Sequence, residues 1–273
     1  MAIKQRIMGK ILKSNLRKSL ASKIILRYYI SMFIIEKSIP VFLDHVDSTN
    51  LYAKKNIKNF DPKSLTAIST SYQTTGLTTK KSYWHSKENE NILNTFVFKY
   101  KKNALLHQYG QVLSVAVLQL LNSLKIQGTI KWPNDILINN KKIAGILATP
   151  DTENQMMILG IGLNVNLTDT SFIDQPATSI HLETDHSHSV KQVLNQLTNL
   201  FLKNLNLYHE KGFEAFLTDY VQNLAFIDKK MVWNEITGTL RSVSLEGYLL
   251  LEDELHHMHE IKWGRIMPHK TQE

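Results

Sequence analysis

The chain has 273 residues, 43% of them hydrophobic, enough to bury a full core in one main domain with a small appendage. It contains no cysteine, which excludes disulfides and thiolate metal sites and suits a reducing compartment. The net charge of +8 is concentrated at one end: eight Lys or Arg stand against one acid between Met1 and Glu36, so the body is nearly neutral and is not a basic nucleic-acid surface.

In that basic extension the apolar runs Ile24-Ile25-Leu26 and Tyr28 to Ile35 are broken by Arg27. They are too short for a membrane span, and no small-residue cleavage site follows them. About forty residues are also too few for a helix-turn-helix domain, and no such spacing occurs, so no repressor function is expected. Three readings stay open: a basic amphipathic segment touching anionic membrane, an organelle-type presequence, or sequence lying upstream of a true start at Met32.

Beyond the extension, strands are predicted at Pro40 to Leu43, Leu65 to Tyr72, Thr95 to Tyr100, Ile130, Ile136 to Ile138, Ile143 to Thr149 and Met156 to Val165. Helices are predicted at Asn50 to Ile57, Tyr109 to Leu124, Val190 to His209 and Phe213 to Tyr220. The second of these has apolar residues at 112, 113, 116, 117, 120, 121 and 124, a wide buried face rather than a cofactor box. After Asp228 the composition shifts to short β-like runs with turns at Gly238 and Glu246-Gly247, the pattern of a small β-barrel.

Polar chemistry is densest at Lys131-Trp132-Pro133-Asn134-Asp135, followed by Lys142-Ile143-Ala144-Gly145-Ile146-Leu147. Asn139-Asn140 between them is turn chemistry, so two lysines and an Asn-Asp pair converge on one hairpin. Pro133 cannot donate to a ladder and biases Trp132 towards extended geometry, so this segment should leave regular pairing and present its side chains. Asn134 and Asp135 suit a hydrated Mg²⁺ and Lys142 a phosphate, which suggests nucleotide chemistry. Taken alone, the same residues also describe an ordinary hairpin with solvated lysines.

They do not stand alone. Asp47-Ser48-Thr49-Asn50, Tyr72-Gln73 with Gly76 and Trp84, the KWPND and KIAGIL segments, and Gly160-Ile161-Gly162-Leu163-Asn164-Val165-Asn166 occur in that order. From about Val41 to near the C-terminus the chain resembles biotin protein ligase, also called biotin-[acetyl-CoA-carboxylase] ligase. The KWPND and KIAGIL pair separates this family from lipoate ligases and octanoyl transferases of similar fold. The resemblance implies an α+β fold: a mixed sheet flanked by helices, biotin/lipoate-ligase-like, with a C-terminal SH3-like β-barrel. It implies a division into an extension at 1–37, a ligase domain at 38–227 and a β domain at 228–273.

The implied reaction has two steps: biotin and MgATP give biotinyl-5′-adenylate and pyrophosphate, then a lysine of a biotin carboxyl carrier protein domain attacks the mixed anhydride. Lys142 matches the catalytic lysine and also touches biotin. Ser48, Thr49, Gln73, Gly76, Trp84, Gly145 and Gly160 match the biotin pocket. Lys80, Lys81, Asn134, Asp135 and Asn164 fall in the ATP and adenylate region, with Asn134 and Asp135 also as Mg²⁺ ligands. Read by residue type alone, Ser48 and Thr49 are a helix N-cap, Gln73 is surface filler at a strand end, and the glycines at 160 and 162 are weak points or a bulge.

One departure stands out. Where the family carries a Gly-Arg-Gly-x-x-Gly-Arg loop over the adenylate, this chain has Gly76-Leu77-Thr78-Thr79-Lys80-Lys81-Ser82-Tyr83-Trp84. Lysine cannot reproduce the planar fork of arginine, and the lost glycines restrict closure, so a leaky or slow ligase is expected. Alternatives are a catalytically impaired biotin- or nucleotide-binding paralogue and a lipoate or octanoate ligase. The stretch is not a Walker A loop, because no second glycine precedes Lys81-Ser82. Two histidine clusters, His181, His186 and His188 and then His256, His257 and His259, are read as solvated loops. The remaining expectations are a cytoplasmic protein, monomer or weak dimer, with no nucleic-acid partner and membrane contact only through the extension.

Overall fold

The computed structural model describes residues 34–76, 84, 86–264 and 266–268. The readings of the basic extension before residue 34, and of Lys80 and Lys81, lie outside the described residues. From Ile35 onward the chain forms one compact unit.

Strand β1 (Lys37–Val46) runs parallel to β2 (Ser64–Gln73), and a parallel pair needs a crossover. Helix α1 (Thr49–Lys55) and a 3₁₀ turn at Ile57–Asn59 supply it. All other pairings are antiparallel: β3 (Asn91–Lys99) follows β2, then β7 (Met156–Asn164), β6 (Lys141–Asp151), β5 (Asp135–Ile138) and β4 (Thr129–Lys131), giving the order β1-β2-β3-β7-β6-β5-β4. The central strands β3 and β7 are buried along nearly their whole length, so neither shows the apolar–polar alternation of a half-exposed strand.

Both faces of this sheet are covered. Phe96 and Val97, neighbours on β3, point to opposite faces. Phe96 joins a core with Val112, Leu113 and Leu120 of α2 (His107–Ser123) and Leu197, Phe201 and Leu205 of α4 (Val190–Lys211). Val97 joins Ala53 of α1, with Ile57, Ile68 and Ile158. Helix α4 starts at a Ser189 hydroxyl cap on the Gln192 amide and stops at Gly212, whose φ of 76° a side chain would resist.

After α5 (Glu214–Gln222), strands β8 (Lys230–Trp233), β9 (Ile236–Val243), β10 (Leu249–Glu252), β11 (Met258–Ile261) and β12 (Met267–Pro268) make a second antiparallel sheet in the order β11-β10-β9-β8-β12. Its buried side chains Met231, Leu240, Leu249 and Leu251 belong to the same apolar core as Tyr109 and Phe201. The two sheets are also joined by polar contacts. The turn at 245–247 offers three successive carbonyls: Leu245 O accepts from Gln108 Nε2 at 2.9 Å, Glu246 O lies 2.6 Å from His107 Nε2, and Gly247 O accepts from both Gln111 Nε2 and Trp132 Nε1 at 2.7 and 3.1 Å.

Element types agree with the sequence reading except at Gly238, expected as a turn but paired with Met231 inside β9, and the other differences are at ends and in short pieces. Strand β1 extends to Lys37 and Val46 because an edge strand tolerates Lys37, Asp44 and His45 facing water. Strand β3 begins at Asn91, four residues before the expected Thr95, through buried polar residues that a hydrophobic pattern skips. Helix α3 (Ile180–Thr184), too short to show a period, is held by the Ser179 hydroxyl on the Leu182 amide at 3.1 Å. Among the described residues no helix is long and apolar enough to cross a membrane.

Candidate active site

The ends of β6 and β7, the start of α1 and the β4–β5 turn surround a cleft of about 500 Å³, counted out to its open mouth.

Its floor is made of glycine. Gly145 on β6 pairs across the ladder with Gly162 on β7, and Leu147 pairs with Gly160. A methyl group on Gly160 would come 2.8 Å from Asn50 Nδ2, on Gly162 2.6 Å from Cδ2 of Trp84, and on Gly145 3.0 Å from both Cζ3 of Trp84 and Lys142 Nζ. These positions are glycine because other side chains lie directly on the backbone. Trp84 holds its place by donating its amide to Gly76 O at 2.8 Å, and among the described residues its buried indole N–H has no hydrogen-bond partner.

One wall is polar and neutral. Ser48 occupies the N-cap position of α1, yet its hydroxyl makes no capping bond and the residue is 2% exposed in the cleft. Gln73 Oε1 instead takes up the helix start, accepting from Thr49 N at 2.8 Å and Thr49 Oγ1 at 3.1 Å. Thr95 Oγ1 reaches Thr49 Oγ1 at 2.8 Å and Asn50 Oδ1 at 2.5 Å. Just outside, the Ser48 amide holds the Asp47 carboxyl below its ordinary range.

The other wall carries charge. The β5–β6 ladder shifts register between Ile136 and Leu137, and Lys142 Nζ meets Asp135 Oδ1 at 2.7 Å, both side chains about four-fifths buried. The backbone of Lys142 is clamped by an outlying segment, its amide donating to Pro176 O at 2.8 Å and its carbonyl accepting from Thr178 N at 3.0 Å. Asn134 is stapled to β6, its Nδ2 donating to Ile146 O and its carbonyl accepting from Ile146 N, each at 2.9 Å. Lys142 Nζ also lies 5.5 Å from the centre of the Trp84 ring.

The structure thus brings Ser48, Thr49, Gln73, Trp84, Asn134, Asp135, Lys142, Gly145 and Gly160 around one cleft. It does not place Asn164 or Gly76 in the lining. The Asn164 amide is 2% exposed and committed: Oδ1 accepts from Asn91 Nδ2 and Nδ2 donates to Thr178 O, each at 2.9 Å. It stands behind the segment that clamps Lys142. Gly76 sits behind Gln73 and Trp84. The sequence reading missed Asn50 as a lining residue and Thr95 as its partner. The signal was available in Asn94-Thr95, two polar residues interrupting the apolar run from Ile92 to Phe98.

Among the described lining residues Asp135 is the single acid, and no group of three His, Cys, Asp or Glu could hold a metal by itself. This fits Mg²⁺, which commonly binds through one or two carboxylates plus substrate phosphates, and not a metal caged by protein alone.

The sequence model of the Biotin/lipoate A/B protein ligase family matches residues 42–166. The bifunctional ligase/repressor BirA of Bacillus spizizenii is 27% identical over 260 residues, covering 90% of this chain and 76% of that protein. The biotin-[acetyl-CoA-carboxylase] ligase of Paracoccus denitrificans is 28% identical over 165 residues, covering 56% of this chain and 67% of that one. Among solved structures, the Aquifex aeolicus biotin protein ligase in complex with biotin and ATP superposes with a TM-score of 0.74 at 26% identity, over 85% of this chain and 99% of that one. With its cleft floored by glycines and walled by a largely buried lysine, the chain has the fold of a biotin protein ligase, and its residues 42–166 are similar to the biotin/lipoate A/B protein ligase family.

Proposed function

We propose that the chain is an ATP-dependent biotin protein ligase that forms biotinyl-5′-AMP and transfers the biotinyl group to a lysine of a carboxylase carrier domain. The observation that carries this reading is Lys142, a buried cation fixed by backbone clamps opposite a neutral wall of hydroxyl and amide groups. A ligand with a polar uncharged ring at one end and a carboxylate at the other fits such a cleft. Ser48 and the Thr49–Gln73 pair take the ring, beside the Trp84 indole that lies on the glycine floor.

Adenylation brings two anions together, and a cation that is already in place lowers the cost of the charge that develops, without reorganisation at the moment of reaction. Lys142 is that cation for the carboxylate and the α-phosphate. A Mg²⁺ ion carried by the triphosphate would neutralise phosphate charge and orient the leaving pyrophosphate, with Asp135 and the side-chain oxygen of Asn134 within reach of it. The lysine of the carrier then attacks the acyl carbon of the adenylate, and AMP leaves.

The loop at 76–84 lacks the arginines of the family pattern, and Lys80 and Lys81 replace some of their charge but not their fork. We therefore propose weak retention of the adenylate. The same reading makes 38–227 the ligase domain and 228–273 a supporting β domain, in a cytoplasmic enzyme that works as a monomer or weak dimer.

The purified chain incubated with biotin, MgATP and a carrier domain should yield labelled carrier by mass spectrometry. Lys142→Ala should lower labelling at least 100-fold, since electrostatic groups of this kind contribute roughly 10²–10³ in rate. Labelling that survives Lys142→Ala would remove the mechanism. Biotin binding with no adenylate at any Mg²⁺ concentration would favour the non-catalytic paralogue.

A further inference from the structure

We infer that Asp135 is a removable counter-ion for Lys142: it neutralises the lysine in the ligand-free cleft, so that a substrate carboxylate gains the charge only once Asp135 has let go. This rests on the biotin-ligase reading above and gives Asp135 a role as a positioning residue beyond contact with nucleotide.

Among the described residues lining the cleft, Lys142 is the single cation and Asp135 the single acid, and they are paired at 2.7 Å. This is not a loose surface pair. Their side chains are 17% and 21% exposed, and both backbones are pinned, Asp135 in ladder pairs with Lys131 and Gly145 and Lys142 by Pro176 and Thr178. Charges so placed are screened by water far less than exposed ones. An incoming carboxylate therefore meets a neutral pair, and to reach Nζ it must compete with an anion already seated there.

Release of Asp135 requires a second cation to take its carboxylate. The metal that accompanies a triphosphate is of the right chemistry, because a hard cation prefers an oxygen anion and Asp135 is the acid within reach. The pair thus makes full charge recognition of the acid conditional on the second substrate.

The test compares biotin with its neutral carboxamide by calorimetry, with neither nucleotide nor divalent metal present. The wild-type chain should bind the two within about threefold of each other. In Asp135→Asn, which keeps the side-chain shape, biotin should become at least tenfold tighter than the amide, about 1.4 kcal/mol of new discrimination. In Asp135→Asn combined with Lys142→Met the preference should fall back to about threefold or less.

A wild-type preference of tenfold or more for the acid overturns the inference even if no variant folds. Equal changes for both ligands in Asp135→Asn overturn it too, since they would mark a purely structural role. If the wild-type chain binds neither ligand, the biotin reading itself fails and the inference falls with it. Binding of both with the wrong ratio removes the inference alone.

Discussion

At Gly162 a single methyl group decides whether the site exists. A Cβ there would lie 2.6 Å from Cδ2 of Trp84, closer than a real contact allows, so the indole must leave the floor of the cleft. Gly162→Ala should lower biotin affinity at least tenfold by calorimetry while costing about 1 to 3 kcal/mol or less in chemical denaturation, the usual range for overpacking. Unchanged affinity would mean that Trp84 does not lie beside the ligand.

How much of the site could be read from the sequence also divides by residue. Lys142 and Asp135 were legible through the KWPND and KIAGIL segments, since by residue type alone they also describe an ordinary hairpin. Asn50 and Thr95 were not, because a threonine on a strand already reads as a good β-former and its partners lie 45 and 46 residues away. The Asn164 side chain, which follows the glycine motif, bonds Asn91 and the Thr178 carbonyl, two partners the motif does not announce.

Among the elements, the β9–β10 turn does more than reverse the chain. Its three carbonyls are held by side chains at the start of α2 and by Trp132, one peptide before the Pro133-Asn134-Asp135 corner of the cleft. His107 stacks on Tyr248 with ring centres 4.9 Å apart, and burial lowers its pKa, so the contact favours the neutral ring. Gly247 adopts φ 84°, and a methyl group there would collide with the Gln111 side chain. Gly247→Ala should therefore cost roughly 2 to 4 kcal/mol from left-handed strain plus displaced packing. Adenylation should weaken with it, because the corner after Trp132 loses its support. Equilibrium unfolding together with a pyrophosphate-release assay checks both, and a variant as stable and active as wild type would show that the turn merely rests on α2. The sequence announced this element as a turn but gave no hint of its partners, which lie 115 to 139 residues earlier.

Over the whole molecule, the long periodic elements were legible and the short ones were not. Helix α4 and the central strands carry enough apolar residues to fix their type. The two-residue β12 contains a proline and exists by pairing Met267 with Val232 and Pro268 with Met231. The second histidine cluster was read as solvated; two of its rings lie 2.7 to 2.8 Å from carboxylates, His259 on Asp253 and His256 on Glu252.

The Asp253 carboxyl is pulled down from its ordinary 3.8 to about 2, first by the His259 ring and then by the His257 amide. A depressed carboxylate adds stability above its unfolded pKa that is lost as pH falls through the folded one, so the loss should run from about pH 4 to about pH 2. Asp253→Asn should melt below the wild-type chain at pH 6, and the two should converge near pH 2 in thermal scans. A gap that persists at pH 2 would assign the effect to packing instead of charge.

Because one apolar core lies beneath both sheets, the C-terminal strands are not an interchangeable cassette. Grafting them from a relative that is about a quarter identical would replace Met231, Leu240, Leu249 and Leu251 but keep the rest of the core they belong to. Such a chimera would inherit mismatched volumes across a seam that never sees water, and divergence on one side of the seam has to be answered on the other.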